Sequence, residues 1–167
     1  MPPIKMKIYQ KKLTNLKCDI ILSSNSAIII DEAFCMRRII IDTNFYVAFK
    51  KREAAAIVTL KKADYIAVNT IVFGELLAGF RCGTKEKRNR EELDLFLDSP
   101  RVNFLSIDDG TAEFYAQIFA QLKQKGNPIP TNDLWLAASA MQHGLALATY
   151  DGHFDNISGL LLADRLL

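Results

Sequence analysis

The chain is 167 residues long, half of them hydrophobic and 24% charged, with a formal net charge of +2. That is the size of one domain with apolar content for an ordinary core, which excludes wholesale disorder. No apolar run nears the ~18 residues of a membrane span, and the polar, Lys-rich start lacks the apolar stretch of a secretory signal.

In chain order, residues 1–35 come first and stand apart. They hold five lysines against three acids, contain no glycine, and show no regular pattern beyond the apolar run Ala27–Ile30. They read as an N-terminal extension of unassigned role, with Met36 as a second candidate start, and the domain proper is expected over residues 36–167. There, 16 basic and 16 acidic groups cancel. Such a body is no bulk polycation, so nucleic acid would have to be met through a local basic patch or through metal ions held by acids. The cysteines Cys18, Cys35 and Cys82 are odd in number and far apart. That fits free thiols in a reducing cytoplasm better than a disulfide framework or a zinc site.

From Met36 onward short apolar runs alternate with helical periodicity, the signature of an α/β fold on a parallel sheet. Strands are expected at about 37–41, 65–69, 102–106 and 145–149, with a short edge strand near 160–163. Between them lie helices at about 44–62 (broken), 70–81, 85–98, 109–125 and 132–143. Tyr115, Ile118, Phe119 and Leu122 form one apolar helix face, and Leu134, Ala137, Ala138 and Met141 another. Gly126 and Gly144 stand where C-caps are wanted, and Thr131 or Asn132 is the expected N-cap after Pro128-Ile129-Pro130.

The placement of four acids carries the chemistry. Asp42 closes the apolar strand Arg38–Ile41, and Asp151 follows the strand Leu145–Ala148, both at a carboxyl edge where open α/β sheets bind ligands. Asp133 lies in the first turn of the helix after Pro130. Glu75 sits inside the apolar helix pattern Ile71–Gly79, between Gly74 and Gly79, which leave room for close approach. Singly, each acid is a capping, turn or rim residue. Together they would repel strongly unless a divalent cation neutralised them, and hard oxygen donors favour Mg²⁺ or Mn²⁺ over zinc. Removing one acid is therefore expected to leave the fold intact, or more stable without metal. His143 and His153 look isolated and are set aside as ligands.

Four blocks now carry a resemblance: Ile39-Ile40-Ile41-Asp42-Thr43-Asn44, Thr70-Ile71-Val72-Phe73-Gly74-Glu75-Leu76-Leu77-Ala78-Gly79, Ile129-Pro130-Thr131-Asn132-Asp133-Leu134-Trp135-Leu136-Ala137-Ala138 and Leu147-Ala148-Thr149-Tyr150-Asp151-Gly152-His153-Phe154. In this order they resemble the PIN-domain ribonucleases, most closely the VapC-type toxins of toxin–antitoxin pairs, over about residues 36–163. The resemblance implies a three-layer α/β/α domain with a central parallel sheet of four to five strands. It also implies a metal-dependent endoribonuclease in which Asp42, Glu75, Asp133 and Asp151 are the acidic quartet holding one or two Mg²⁺ or Mn²⁺ ions. RNA would be the substrate, a small antitoxin protein the inhibitor, and a homodimer the assembly.

Thr43, Asn44, Thr131, Asn132 and Thr149 are short polar residues beside the acids and would orient carboxylates or bound water, with Asp155 a further outer carboxylate. Arg81, Lys85, Lys87, Arg88 and Arg90 form the local basic segment that would grip RNA, unless they are simply a solvated helix face. Trp135 is read as packing under a loop rather than stacking on a base. A haloacid-dehalogenase-type phosphatase is excluded because it needs a second Asp where Asn44 stands, and a receiver domain lacks its acidic pair and lysine. A non-cleaving PIN-like binding module and a housekeeping RNA-processing nuclease are the remaining alternatives.

Overall fold

Ile39, Ile40 and Ile41 have no exposed surface, because a strand central to a parallel sheet is covered on both faces. In the computed structural model, which describes residues 38–163, this run is β1 (Arg38–Ile41). The expectations for the extension, for Met36, and for Cys18 and Cys35 fall outside the described residues. Then follow α1 (Thr43–Lys50), α2 (Ala54–Lys62), β2 (Tyr65–Asn69), α3 (Thr70–Cys82), α4 (Glu86–Leu97), β3 (Val102–Leu105), α5 (Asp109–Lys125), α6 (Thr131–His143) and β4 (Ala146–Ala148). A 3₁₀ turn at Gly152–Asn156 completes them. Among the described residues every strand pairing is parallel, in the order β3-β2-β1-β4, and six helices flank the sheet as a three-layer α/β/α domain.

That order has a consequence for function. The chain moves outward from β1 to β2 and β3, then returns to place β4 on the other side of β1. The topological switch point lies between β1 and β4, so the loops after these two strands border a crevice at the carboxyl edge.

The expected broken helix at 44–62 is two helices, and the break is at Arg52, whose φ of 63° is left-handed. Gly126 and Gly144 are left-handed C-caps as expected, at φ 70° and 59°.

Three readings need correction. The edge strand near 160–163 is a single parallel bridge, Leu147 to Leu162, so the sheet of the described residues has four strands. The N-cap of α6 is Pro130, and Thr131 is already helical; proline's fixed φ and missing N–H suit a helix start, where no donor is needed. Phe119 is 48% exposed although it shares its face with buried Ile118 and Leu122. The contact of α5 is narrower than its apolar stripe, and Phe119 falls at the rim, stacked on Tyr115. Trp135 packs on the same Tyr115, ring centroids 4.3 Å apart, which locks α6 to α5.

Candidate active site

The end of β1 delivers Asp42. It is 5% exposed and is the N-cap of α1, its Oδ1 accepting from the Phe45 amide at 2.5 Å. Its Oδ2 accepts from the Thr149 hydroxyl, also at 2.5 Å. Thr149 leaves β4 and in turn accepts from the Asp151 amide at 2.9 Å, so one hydroxyl ties two acids from adjacent strand ends. Asp151 caps the 3₁₀ turn by accepting from the His153 amide at 2.9 Å.

Glu75 and Asp133 come from helices. Asn69, fully buried at the end of β2, caps α3 by accepting from the Val72 amide, and its own amide donates to Ser139 of α6 at 3.1 Å. This fixes the helix carrying Glu75 against the helix carrying Asp133. The Glu75 head is held by two donors: Thr43 Oγ1 to Oε2 at 2.5 Å and Asn132 Nδ2 to Oε1 at 2.7 Å. Asp42, Glu75, Asp133 and Asp151 line one concavity, together with Thr43, Asn44 and Asn132.

Electrostatics mark the cluster. Burial pushes the Asp42 carboxyl above its ordinary range; hydrogen bonds from Thr149 and Phe45 pull it down, while Asp151 and Asp133 raise it again. Asp133 is raised by burial, then by Asp151, with His153 opposing and Glu75 adding. Carboxylates crowded together at the switch point of a sheet, with Asp42 and Asp133 raised, form a hard-oxygen donor set suited to a divalent cation. The residues present therefore fit a metal of the Mg²⁺ or Mn²⁺ class.

The other sequence candidates divide. Thr43, Asn132 and Thr149 touch the acids, and Asn44 lines the concavity. Thr131 and Asp155 are exposed and outside its lining. Of the basic segment, Arg81 and Arg90 pair with Glu86, and Arg88 pairs with Glu92. Lys85 and Lys87 are exposed, and none of the five lines the concavity.

His153 is the residue the sequence reading passed over. Isolated in sequence, it stands with Nδ1 3.2 Å from Asp151 Oδ1 and 3.4 Å from Asp133 Oδ2. Only its position two residues beyond Asp151 could have signalled this.

Comparison with known proteins decides the family. Residues 39–160 match the PIN domain. The chain belongs to the PIN-domain family. Within it, the chain is 32% identical over 104 residues to Ribonuclease VapC2 of Rickettsia felis, covering 62% of this chain and 76% of that protein. It is 28% identical over 120 residues to Ribonuclease VapC4 of Mycobacterium tuberculosis, covering 71% and 90%. Among solved structures, VapBC2 from Rickettsia felis bound to a promoter DNA fragment aligns with a TM-score of 0.67 and 30% identity, covering 74% of this chain and 95% of that one. DNA-bound VapBC from Salmonella typhimurium aligns at 0.67 with 25% identity, covering 75% and 96%. The PIN domain described here is thus an endoribonuclease of the VapC toxin type. Among the described residues no helix is long and apolar enough to cross a membrane.

Proposed function

We propose that this PIN domain cleaves RNA with one or two Mg²⁺ or Mn²⁺ ions held by Asp42, Glu75, Asp133 and Asp151. The observation that carries this reading is the meeting of four carboxylates, from two strand ends and two helices, in one concavity where burial first, and neighbouring acids second, push Asp42 and Asp133 up. A bound divalent ion would supply Lewis-acid activation of water and charge neutralisation at the scissile phosphate. The chain's own residues do the rest. Thr149 holds Asp42 and the Asp151 backbone in register, while Thr43 and Asn132 fix both oxygens of Glu75. Lys85 and Lys87, which stand outside the arginine–glutamate pairs around them, are the members of the basic segment best able to meet phosphates.

The relatives' VapBC assemblies support a small antitoxin as the partner and the cytoplasm as the site of action. On α3, Gly74 and Gly79 face open space, and a Cβ on either would meet nothing within 4 Å. That open flank of the Glu75 helix suits a partner segment bringing a basic side chain to the acids. A homodimer would cover apolar side chains that are exposed here, Leu95 at 73% and Phe119 at 48%. Residues 1–35 are proposed to be dispensable for cleavage.

Growth provides the test. Expression of the chain in a host without its antitoxin should arrest growth, and the Asp42→Ala variant should not. Equal harmlessness of the two would remove the toxin reading and leave a housekeeping nuclease.

A further inference from the structure

His153 stands at the site, and carboxylate chemistry leaves it without a task. A ring nitrogen of His153, an Asp133 oxygen and an Asp151 oxygen all lie within 4.8 Å of one another. The 3.2 and 3.4 Å separations from the two acids are close to those of neighbouring ligands around an octahedral ion, about 3.0 Å for bonds of about 2.1 Å. The backbone that presents the imidazole is anchored. The His153 amide donates to Asp151 at 2.9 Å, and the next residue, Phe154, is 2% exposed in the core. Just beyond, Lys125 of α5 clasps the segment by donating to the Asn156 carbonyl at 2.9 Å and to the Ser158 hydroxyl at 2.8 Å. The backbone thus fixes where the imidazole starts, and its ring nitrogen already stands beside both acids.

We propose that His153 Nδ1 is a direct ligand of the divalent ion at this site and biases it toward transition-metal ions over Mg²⁺. The proposal rests on reading the four carboxylates as a metal site. Carboxylates alone favour hard ions with little discrimination, whereas an imidazole nitrogen binds transition ions more strongly along the series from Mn²⁺ to Co²⁺, and Mg²⁺ least of all. A histidine acting only as a counter-charge to the acids would affect all three ions alike, because they carry the same charge.

The experiment measures Mg²⁺, Mn²⁺ and Co²⁺ binding by calorimetry on the full chain at pH 7.5, in the wild type, His153→Ala and His153→Asn, with thermal unfolding to confirm folding. His153→Ala should weaken Co²⁺ by at least about tenfold, Mn²⁺ by less, and Mg²⁺ by no more than about twofold. His153→Asn, which can offer an oxygen near the place of Nδ1, should retain Mg²⁺ and lose the Co²⁺ preference, and it carries the measurement should the alanine variant fail to fold. The Mn²⁺-loaded wild type should show pulsed-EPR modulation from one bound imidazole nitrogen, absent in both variants. Equal factors for the three ions, or no change, would overturn this proposal while leaving the carboxylate site standing. A wild type that binds none of the ions would overturn both.

Discussion

Thr149 Oγ1 donates to Asp42 Oδ2 at 2.5 Å, joining the ends of two neighbouring strands across 107 residues of sequence. Because the same oxygen accepts from the Asp151 amide, a single buried hydroxyl holds the two acids at the switch point of the sheet. The quartet depends on this device as much as on the carboxylates themselves.

Thr149→Val keeps the shape and removes the hydroxyl. It leaves Asp42 and the Asp151 amide each one partner short in a site where Thr149 is 4% exposed. Denaturant unfolding should show a loss of about 2 kcal/mol, and single-turnover cleavage should fall at least about tenfold. Thr149→Ser should restore most of both. A valine variant cleaving at the wild-type rate would show that the hydroxyl positions nothing.

The metal-free protein should lose stability as pH climbs from about 3.8, the ordinary Asp value, through the raised values of folded Asp42 and Asp133. Below that window the folded and unfolded carboxyls are both protonated and folding carries no penalty. Above it both are ionised, and the full cost of holding buried, mutually repelling charges is present. Asp42→Asn removes the charge and can still accept from the Phe45 amide, so it should exceed the wild type in unfolding midpoint at pH 7 and match it near pH 3.5. Asp42→Ala should fall below Asp42→Asn by about 1 kcal/mol, because it also deletes the N-cap of α1. The expectation that removing any acid leaves the fold unharmed therefore needs amending at Asp42.

Asn132→Ala should release one oxygen of Glu75 while leaving the core untouched, since Asn132 is exposed. Cleavage should drop roughly 10- to 100-fold with little change in melting temperature. A loss of stability that matched the loss of rate would assign Asn132 a structural role instead.

Tyr46 supplies a test remote from the site. Its hydroxyl is buried with no hydrogen-bond partner among the described residues, and burial, with Glu92 nearby, pushes its pKa up to about 12. The ring packs edge-on against Phe49 and Phe96. Tyr46→Phe should therefore raise stability, by about 1 kcal/mol. A destabilised phenylalanine variant would mean that the hydroxyl has a partner.

Much of the fold was legible because parallel strands buried on both faces read as unbroken apolar runs, as Ile39-Ile40-Ile41 and Leu145–Ala148 do. The acids were legible because strand ends and helix starts are local features that fix where Asp42, Asp133 and Asp151 emerge. What escaped depends on tertiary proximity. His153 reaches Asp133 only because the 3₁₀ turn is carried against α6, and no periodicity in residues 151–156 encodes that meeting. Phe119 fits its helical stripe perfectly well, yet how far a neighbouring helix covers that stripe is settled by packing on α6. The single bridge at Leu162 looked like a strand because its apolar residues, Leu160 to Ala163, serve a sheet edge without extending it.

Ion-dependent RNA cleavage tests the central claim most directly. A purified chain given a labelled RNA should cut it with Mg²⁺ or Mn²⁺, stop on addition of EDTA, and resume when the ion is restored. Asp133→Asn should lose orders of magnitude in rate while remaining folded. Cleavage that persists in EDTA, or an Asp133→Asn variant as fast as the wild type, would contradict the assignment of these carboxylates to a metal-dependent nuclease.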